Sequence, residues 1–321
     1  MDVIYTDRNL NDEGCLHHYN IDLDIANEKN FEITVGIKNN VMRGGYWWYV
    51  NDTEYGGVVD SVKVITENNE IRYSGRSFRG VLMSKIIEPP SGAAYRIVSG
   101  DAGNIIQDLI NLCGLSAVFA AERIGYTVKT FRFDRYIDLY SGLVKLGKAI
   151  GMNLYLIVKN GIVHVSYVPL VDYSDRIEYN QNDINFTIEK TYRGVNHLIC
   201  LGKGELQDRT VVHLYADANG YISTSQRLYG IEEYVSTYEN TSAESDEDLV
   251  SGGTERLQEL IGADAFAVTS SDTEQHIGDI IGGYESVTDS YVISSITNII
   301  VKLDDDTVDI SYSVGDATRK G

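Results

Sequence analysis

The sequence predicts a β-rich α+β fold, and three observations support this prediction. The 321 residues include 23 tyrosines and 30 glycines but only three prolines, a composition that favours strands joined by tight turns. Apolar and polar residues alternate along most of the chain, as they do in half-buried strands. A few segments instead place apolar residues at helical spacing. We therefore expect antiparallel sheet with a small number of helices.

The N-terminal region shows the alternation most clearly. Residues 18–38 predict two strands joined by a turn at Asn27–Asn30, and residues 56–75 predict a hairpin that turns at Asn68–Asn69. Pro89 and Pro90 interrupt the pattern, because proline cannot donate to a strand ladder. We expect residues 1–92 to form a small antiparallel β-barrel.

The period changes after residue 92. Residues 101–112 have apolar residues at helical spacing, with Asp101 able to cap the start and Gly114 following the end. A second helix is predicted from about Leu139 to Ile150. Asn160-Gly161 between two alternating segments is a strong hairpin signal. Residues 93–173 are therefore predicted to be a mixed α/β unit.

From residue 182 the pattern is that of strands again, with one helical interruption. Ser245 and Asp248 form a capping-box pattern at the start of an acidic segment, so a helix is predicted within about residues 240–262. A turn is expected at Asn219-Gly220. Two strands joined by a turn at Asp304–Asp306 are expected near the end.

Charge and cysteine usage exclude several classes of protein. The formal charge of −20 disfavours partners that need phosphate neutralisation, so no stable nucleic-acid binding is expected. It also disfavours docking to anionic lipid. Cys15, Cys113 and Cys200 have neither zinc spacing nor an even count, so reduced thiols are expected. No secretory signal or membrane-length apolar run is visible, so we expect no membrane anchor. The reduced thiols fit synthesis in a reducing cytoplasm.

Residues that carry catalytic or metal chemistry do not form a recognised pattern in this sequence. His164, His197 and His213 lie in predicted strands, where any one could act as a general base. Cys200 follows His197 by three residues, and this odd spacing places them on opposite faces of a strand. Gly202-Lys203-Gly204 lacks the rest of a phosphate-binding fingerprint. We expect no catalytic, cofactor or metal site.

The stretch 44–62 contains both tryptophans, side by side and flanked by tyrosines. Such a cluster can stack on a sugar, serve as a hot spot for another protein, or fill the inside of a barrel. Strand alternation places Tyr46 and Trp48 on one face, and Trp47 and Tyr49 on the other.

Three blocks of the sequence match, in order, the motif pattern of one known protein family. The first block, residues 54–92, matches at Gly56, Gly57, Val58, Val59, Asp60, Gly75, Arg76, Ser77, Arg79, Gly80, Val81 and Leu82. The second, residues 193–215, matches at Asn196, Gly202, Gly204, Glu205 and Arg209. The third begins at His276 and resembles a closing barrel that Gly278, Asp279, Ile280 and Ile281 enter. Together they span nearly the whole chain, and in this order they resemble the tail-associated hub proteins of long-tailed phages and prophages.

The resemblance implies two antiparallel β-barrels with an α/β insertion domain and a short helical insertion. The implied domains are residues 1–92, completed by about 174–205, then 93–173, and then 206–321 with the helical insertion at about 240–262. Three chains would form a ring that adapts the sixfold tail tube to a threefold tip and lets DNA pass. The implied partners are two further copies, the distal tail protein, the tail tube, the tape-measure protein, and tip or receptor-binding proteins.

In this setting one aromatic pair of the 46–49 cluster is expected to fill a barrel and the other to contact a neighbouring subunit. The implied location is the tail tip of the virion. The sequence ends at Gly321 without an appended lytic domain, so we expect no enzymatic activity. Two other hypotheses stay open: a carbohydrate-binding tail module that uses Trp47 and Trp48, and a tail-associated cell-wall hydrolase.

Overall fold

The computed structural model describes most of the chain. It covers residues 1–26, 31–174, 185–189, 194–217, 220–243, 245–261, 265–269, 275–285, 290–315 and 318–319, with backbone alone for 185–189, 265–269, 283–285, 290–292 and 318–319. Apart from its last residues, the chain divides into two compact units. The first consists of Met1–Phe186 and Ala267–Gly315, and the second of Thr187–Phe266.

Strands dominate the described residues, and the β-rich prediction is confirmed. The strands up to residue 169 are β1 (Ile4–Thr6), β2 (Asp12–Cys15), β3 (Tyr19–Asp24), β4 (Phe31–Gly36), β5 (Trp47–Tyr49), β6 (Gly56–Ile65), β7 (Glu70–Ser77), β8 (Ile97–Asp101), β9 (Phe119–Ala121), β10 (Thr127–Arg132), β11 (Met152–Lys159) and β12 (Ile162–Pro169). Those that follow are β13 (Asn185–Glu189), β14 (His197–Leu201), β15 (Val211–Ala216), β16 (Ile222–Ser223), β17 (Val235–Glu239), β18 (Ala265–Thr269), β19 (Ile280–Glu285), β20 (Ser290–Asp304), β21 (Val308–Val314) and β22 (Thr318–Arg319).

Helices are few and short among the residues that the structure describes. The α-helices are α1 (Phe78–Met83), α2 (Ala102–Leu112), α3 (Leu139–Ala149) and α4 (Asp246–Leu260), and 3₁₀ turns occupy Ile37–Asn39, Leu206–Asp208 and Gly230–Glu232. The predicted helix starts are confirmed, because the Asp101 carboxylate accepts from the Asn104 N–H and the Ser245 hydroxyl accepts from the Asp248 N–H. Each cap satisfies a backbone donor that the first helical turn leaves free.

The largest sheet has 13 strands and joins the two ends of the chain. Its strand order is β13-β18-β21-β20-β3-β4-β7-β6-β5-β1-β2, with β19 and β22 also pairing with β20. Strand β20 pairs antiparallel with β3, with Val301 opposite Leu23. The N-terminal and C-terminal strands thus share one sheet. The two separate barrels stay a prediction, since the described strands link both regions.

Several predicted turns are present in the first unit. Lys159 pairs with Ile162 across Asn160-Gly161, whose φ angles of 51° and 76° are those of a tight two-residue hairpin turn. β6 and β7 form the hairpin expected around Asn69, and β20 and β21 flank the acidic turn at 304–306. The turns expected at Asn27–Asn30 and Asn219-Gly220 lie wholly or partly outside the described residues.

The first unit has a large apolar core. It connects the N-terminal strands to residues 93–173, here called the α/β segment. Helices α2 and α3 contribute Ile106, Leu109, Leu143 and Leu146, which are almost fully buried. They pack with side chains of β9, β11 and β12, which form a three-stranded sheet in the order β11-β12-β9. Tyr49 and Phe78 belong to the same core. The aromatic stretch is therefore anchored to the α/β segment.

The second unit has its own sheet and its own core. Four strands lie in the order β16-β15-β14-β17, and β17 runs parallel to β14. Helix α4 covers one face, where Leu249 and Leu257 pack against Leu198, Cys200 and Leu214. His197, His213 and Tyr215 lie on the opposite face, because side chains alternate along each strand.

Candidate functional site

The aromatic stretch predicted to form contacts lies partly inside the first unit. β5 is held between β1 and β6, with Trp48 opposite Tyr5 and Gly57. Trp48 is fully buried, and its ring meets Phe31 edge to face at 5.2 Å between centroids. On the other face, Trp47 is half-buried and stacks on Phe78 at 6.4 Å.

Tyr49 and Tyr46 complete the cluster in different ways. Tyr49 is buried, and its hydroxyl donates to the Asp12 carboxylate over 2.9 Å. Burial, and after it the adjacent Asp12 carboxylate, raises the pKa of Tyr49 to about 12. Tyr46 is half-buried. Trp48 and Tyr49 thus serve the interior, whereas Tyr46 and Trp47 keep surface that another molecule can reach.

A cavity of about 150 Å³ lies beside this stretch. Trp47, Tyr49 and Phe78 supply aromatic walls, and Asp12 and Asn160 supply polar groups. The space is comparable to a few water molecules or part of one sugar ring. It is small for a drug-sized ligand, since such pockets are typically about 300 Å³ or larger.

The first family block positions the turn that follows β7. The backbones of β6 and β7 approach closely at their glycines. A side-chain Cβ at Gly75 would lie 2.0 Å from the Val58 carbonyl oxygen, and one at Gly57 would lie 2.2 Å from that of Arg76. Only glycine fits there without moving a strand. Helix α1 starts directly after this turn, and the Ser77 hydroxyl caps it by accepting from the Gly80 N–H.

The two arginines of this block differ in burial. Arg76 is about one-third exposed and pairs with Asp60 over 2.8 Å. Arg79 is 3% exposed and pairs with Glu54 over 2.9 Å. It also donates to the Leu154 carbonyl and the Tyr140 hydroxyl. Burial lowers the pKa of Arg79, but Glu54 and Tyr140 outweigh it and the net shift is upward. Arg79 thus ties α1 to the α/β segment.

The second family block holds the loops at the ends of the β14 strand. Asn196 donates to the Glu232 carbonyl and accepts from the Tyr234 N–H. Arg209 donates to the Gly202 carbonyl and pairs with Glu239. Gly204 has a φ of 97°, and a Cβ there would lie 2.3 Å from the Asp208 carbonyl oxygen. These residues fix backbone geometry in the second unit.

Two histidines of the second unit are neighbours in the structure, and the sequence pattern did not predict their contact. Nδ1 of His197 lies 2.6 Å from Oε1 of Glu233, and Nε2 lies 2.7 Å from Nδ1 of His213. Tyr215 stacks on His197 at 4.3 Å between centroids. The diagonal placement of His197 and His213 follows from the β14–β15 register, but Glu233 comes from an irregular segment with no sequence signal.

This cluster can pass a proton between Glu233 and the exposed His213. It does not combine with the nearest thiol, because Cys200 is fully buried on the α4 side of the sheet. Burial also raises the pKa of the Cys200 thiol, which disfavours the nucleophilic thiolate. The predicted placement of His197 and Cys200 on opposite faces is confirmed.

Within the described part of the chain, no three His, Cys, Asp or Glu side chains are grouped so that they could hold a metal ion. No helix among the same residues is long and apolar enough to span a bilayer.

Comparisons with known proteins show what fold the chain has. No protein-family model matches the sequence, and no curated protein matches it. Among solved structures the chain has the fold of prophage tail proteins. One is the 43 kDa tail protein of prophage MuSo2 from Shewanella oneidensis, at 13% identity, a TM-score of 0.51 and coverage of 98% of both chains.

A second is the prophage tail protein gp18 from Listeria monocytogenes. It has 12% identity and a TM-score of 0.50, and the alignment covers 98% of this chain and 95% of that one. The resemblance to phage tail proteins seen in the sequence is therefore confirmed at the level of the fold.

Proposed function

We propose that this chain is a structural component of a phage or prophage tail, acting as the hub of the tail tip or baseplate. The observation that carries the proposal is the shared fold with two prophage tail proteins over 98% of the chain. Fold alone does not fix function. The first two sequence blocks add support, because Gly75 and Gly204 set backbone geometry and Arg79 pairs with Glu54.

In this proposal three chains form a closed ring at the virion tail tip. Two β-barrels per chain, with an α/β insertion at 93–173 and a helical insertion at 240–262, would present six similar elements to a sixfold tube. The partners are the distal tail protein, the tail tube, the tape-measure protein, and tip or receptor-binding proteins. The formal charge of −20 suits a channel through which DNA passes without sticking.

The solution molar mass of the purified chain, measured by light scattering, tests this proposal. We expect a mass of three chains and ring-shaped particles in electron micrographs, because a threefold ring is a closed symmetric assembly. A mass of one chain at every concentration would contradict the ring. Turnover of purified peptidoglycan by the chain would support the hydrolase hypothesis in its place.

Carbohydrate binding is a second candidate function. It is favoured by the half-buried Trp47 beside the cavity, with Asp12 and Asn160 as polar groups. Trp48 is fully buried and cannot stack on a ligand without unfolding the strand. If the chain binds glycans, calorimetry should detect heat when cell-wall oligosaccharides bind to the wild type. The Trp47→Ala variant should show no binding, and the Trp47→Phe variant should still bind. Equal binding by both variants would contradict a role for this cavity.

A further inference from the structure

One segment of this acidic chain is basic. Residues 85–159 contain nine Lys or Arg and six Asp or Glu, a formal charge of +3. The rest of the chain therefore carries −23. Positive charge is thus concentrated in the α/β segment of the first unit.

Four of the nine basic residues, Arg96, Lys129, Arg132 and Arg135, lie on or next to the two-stranded ribbon of β8 and β10. This surface is here called the basic ribbon (residues 95–97 and 127–136). Arg132 lies opposite Ile97, whose side chain is 62% exposed. The pairing is irregular between Val128 and Phe131, so Lys129 lies in a bulge. Bulges bend a ribbon and re-aim its side chains.

Exposed tyrosines accompany these cations. The Arg132 guanidinium lies 4.6 Å from the centre of the Tyr95 ring, and that of Arg135 lies 5.4 Å from the Tyr136 ring. Both tyrosines are exposed, at 41% and 56%. A guanidinium group that stacks on an aromatic ring keeps its N–H donors available for other partners. Arginine and tyrosine are also the residues most enriched at protein interfaces.

In the described part of the chain, no carboxylate lies within ion-pair distance of the ribbon cations Lys129, Arg132 and Arg135. Lys129, Arg132 and Arg135 form none of the ion pairs found there, and the adjacent acid, Asp134, pairs with Lys145. Arg72, Arg76 and Arg79 of the first unit behave differently, since all three contact carboxylates. The ribbon therefore offers unneutralised cations beside exposed aromatic and aliphatic surface.

We infer that the basic ribbon is an assembly surface that binds the acidic surface of a second copy of this chain. The inference rests on the proposed ring and names the surface that forms it. Charge complementarity argues for this occupant, because a copy that carries −23 outside the basic segment presents the opposite sign. Nucleic acid is disfavoured, since the same acidic remainder repels phosphates.

The geometry of such a contact also suits a ring. A basic surface that meets a different, acidic surface makes a heterologous, head-to-tail contact. Heterologous contacts do not pair two chains about a twofold axis; they close into rings when the rotation permits. A contact of this kind is therefore what a threefold hub needs.

The test reverses the charges of the ribbon. Arg132→Glu/Arg135→Glu should reduce the mass found by light scattering from three chains to one. The milder Arg132→Gln/Arg135→Gln should weaken the assembly in the same direction. Lys38→Glu/Lys63→Glu is the matched control, because both lysines are exposed and the formal charge changes equally. The control should keep the wild-type mass. Added NaCl should lower the wild-type mass, since salt screens exposed charges.

Three outcomes would overturn the inference. If the wild type is a trimer and the Arg132→Glu/Arg135→Glu variant stays one, the ribbon is not the contact and the proposed hub stands. If the control dissociates as well, net charge and not the ribbon governs assembly. The wild type could instead be a monomer that binds duplex DNA or anionic vesicles, with binding lost in the Arg132→Glu/Arg135→Glu variant. The ribbon would then bind a partner other than a second copy, and the proposed ring would be contradicted as well.

Discussion

Two groups of aromatic residues in the first unit differ in their surroundings. Trp48 and Tyr49 sit in the interior, where Phe31 and the Asp12 carboxylate meet them. Tyr95 and Tyr136 stand on the surface, where arginines cover one side of each ring. The four consecutive aromatic residues 46–49 form the most conspicuous cluster in the sequence. Burial, however, determines which aromatic side chains can contact another molecule. The isolated tyrosines beside unpaired cations are the better candidates for binding a partner.

The largest loss of stability should follow substitution of Trp48, which belongs to the interior group of aromatic residues. Trp48→Ala removes a fully buried indole and leaves a cavity, so the free energy of unfolding should fall by about 3–5 kcal/mol. Trp48→Phe should cost less, because it keeps a ring against Phe31 and removes an indole N–H that has no hydrogen-bond partner among the described residues. Urea unfolding followed by circular dichroism measures both. A loss below 1 kcal/mol for the alanine variant would place Trp48 outside the core.

The second effect contrasts two arginines of the same block. Arg79→Ala leaves the carboxylate of Glu54 partly buried without its partner, and the free energy of unfolding should fall by about 3 kcal/mol. Arg76→Ala removes an exposed pair with Asp60 and should cost no more than about 1 kcal/mol. Parallel urea titrations compare the two variants. Equal losses would show that burial does not separate them.

The third effect depends on pH. The raised pKa of Tyr49 means that the folded state keeps the hydroxyl protonated at pH values where the unfolded chain ionises. Its stabilisation is therefore complete below about pH 10, the usual tyrosine value, and is lost as pH rises towards 12. Tyr49→Phe should lose about 1 kcal/mol at neutral pH with the hydrogen bond to Asp12.

Above pH 10 the difference between the wild type and Tyr49→Phe should shrink, because phenylalanine does not ionise. Unfolding curves at a series of alkaline pH values measure it. A constant difference across the series would mean that Tyr49 titrates normally in the folded chain.

The smallest effect on stability belongs to the exposed group. Tyr136→Ala removes a ring that is more than half exposed, so the free energy of unfolding should change by less than about 0.5 kcal/mol. The same variant should weaken assembly if the basic ribbon is a contact between copies. Light scattering and urea unfolding on one preparation separate the two readouts. A large loss of stability would move Tyr136 into the interior group.

Local structure could be predicted from the sequence because its causes are local. Asp101 and Ser245 cap helices through their own side chains, and Asn160-Gly161 turns a hairpin through its own backbone angles. Alternation also placed Cys200 and His197 on opposite faces. Each of these features depends on residues within a few positions of one another.

Long-range features could not be predicted in the same way. Nothing near Leu23 specifies that it will lie opposite Val301, and nothing near Glu233 points to His197. An arginine is normally expected at the surface, so the buried position of Arg79 required its partners, Glu54 and Tyr140, to be known. The basic ribbon could not be predicted for a different reason. The net charge of −20 is a sum over the whole chain and does not show that one segment carries an excess of positive charge.

The pairing of β3 with β20 has a consequence for how the chain folds. During synthesis, strand β3 leaves the ribosome some 280 residues before strand β20 does. During that interval one edge of β3 lacks the partner it has in the finished sheet and is open to other strands. Contacts so distant in sequence slow folding, since a long loop must close before they form. Nascent chains should therefore stay prone to aggregate until β20 has emerged and paired with β3.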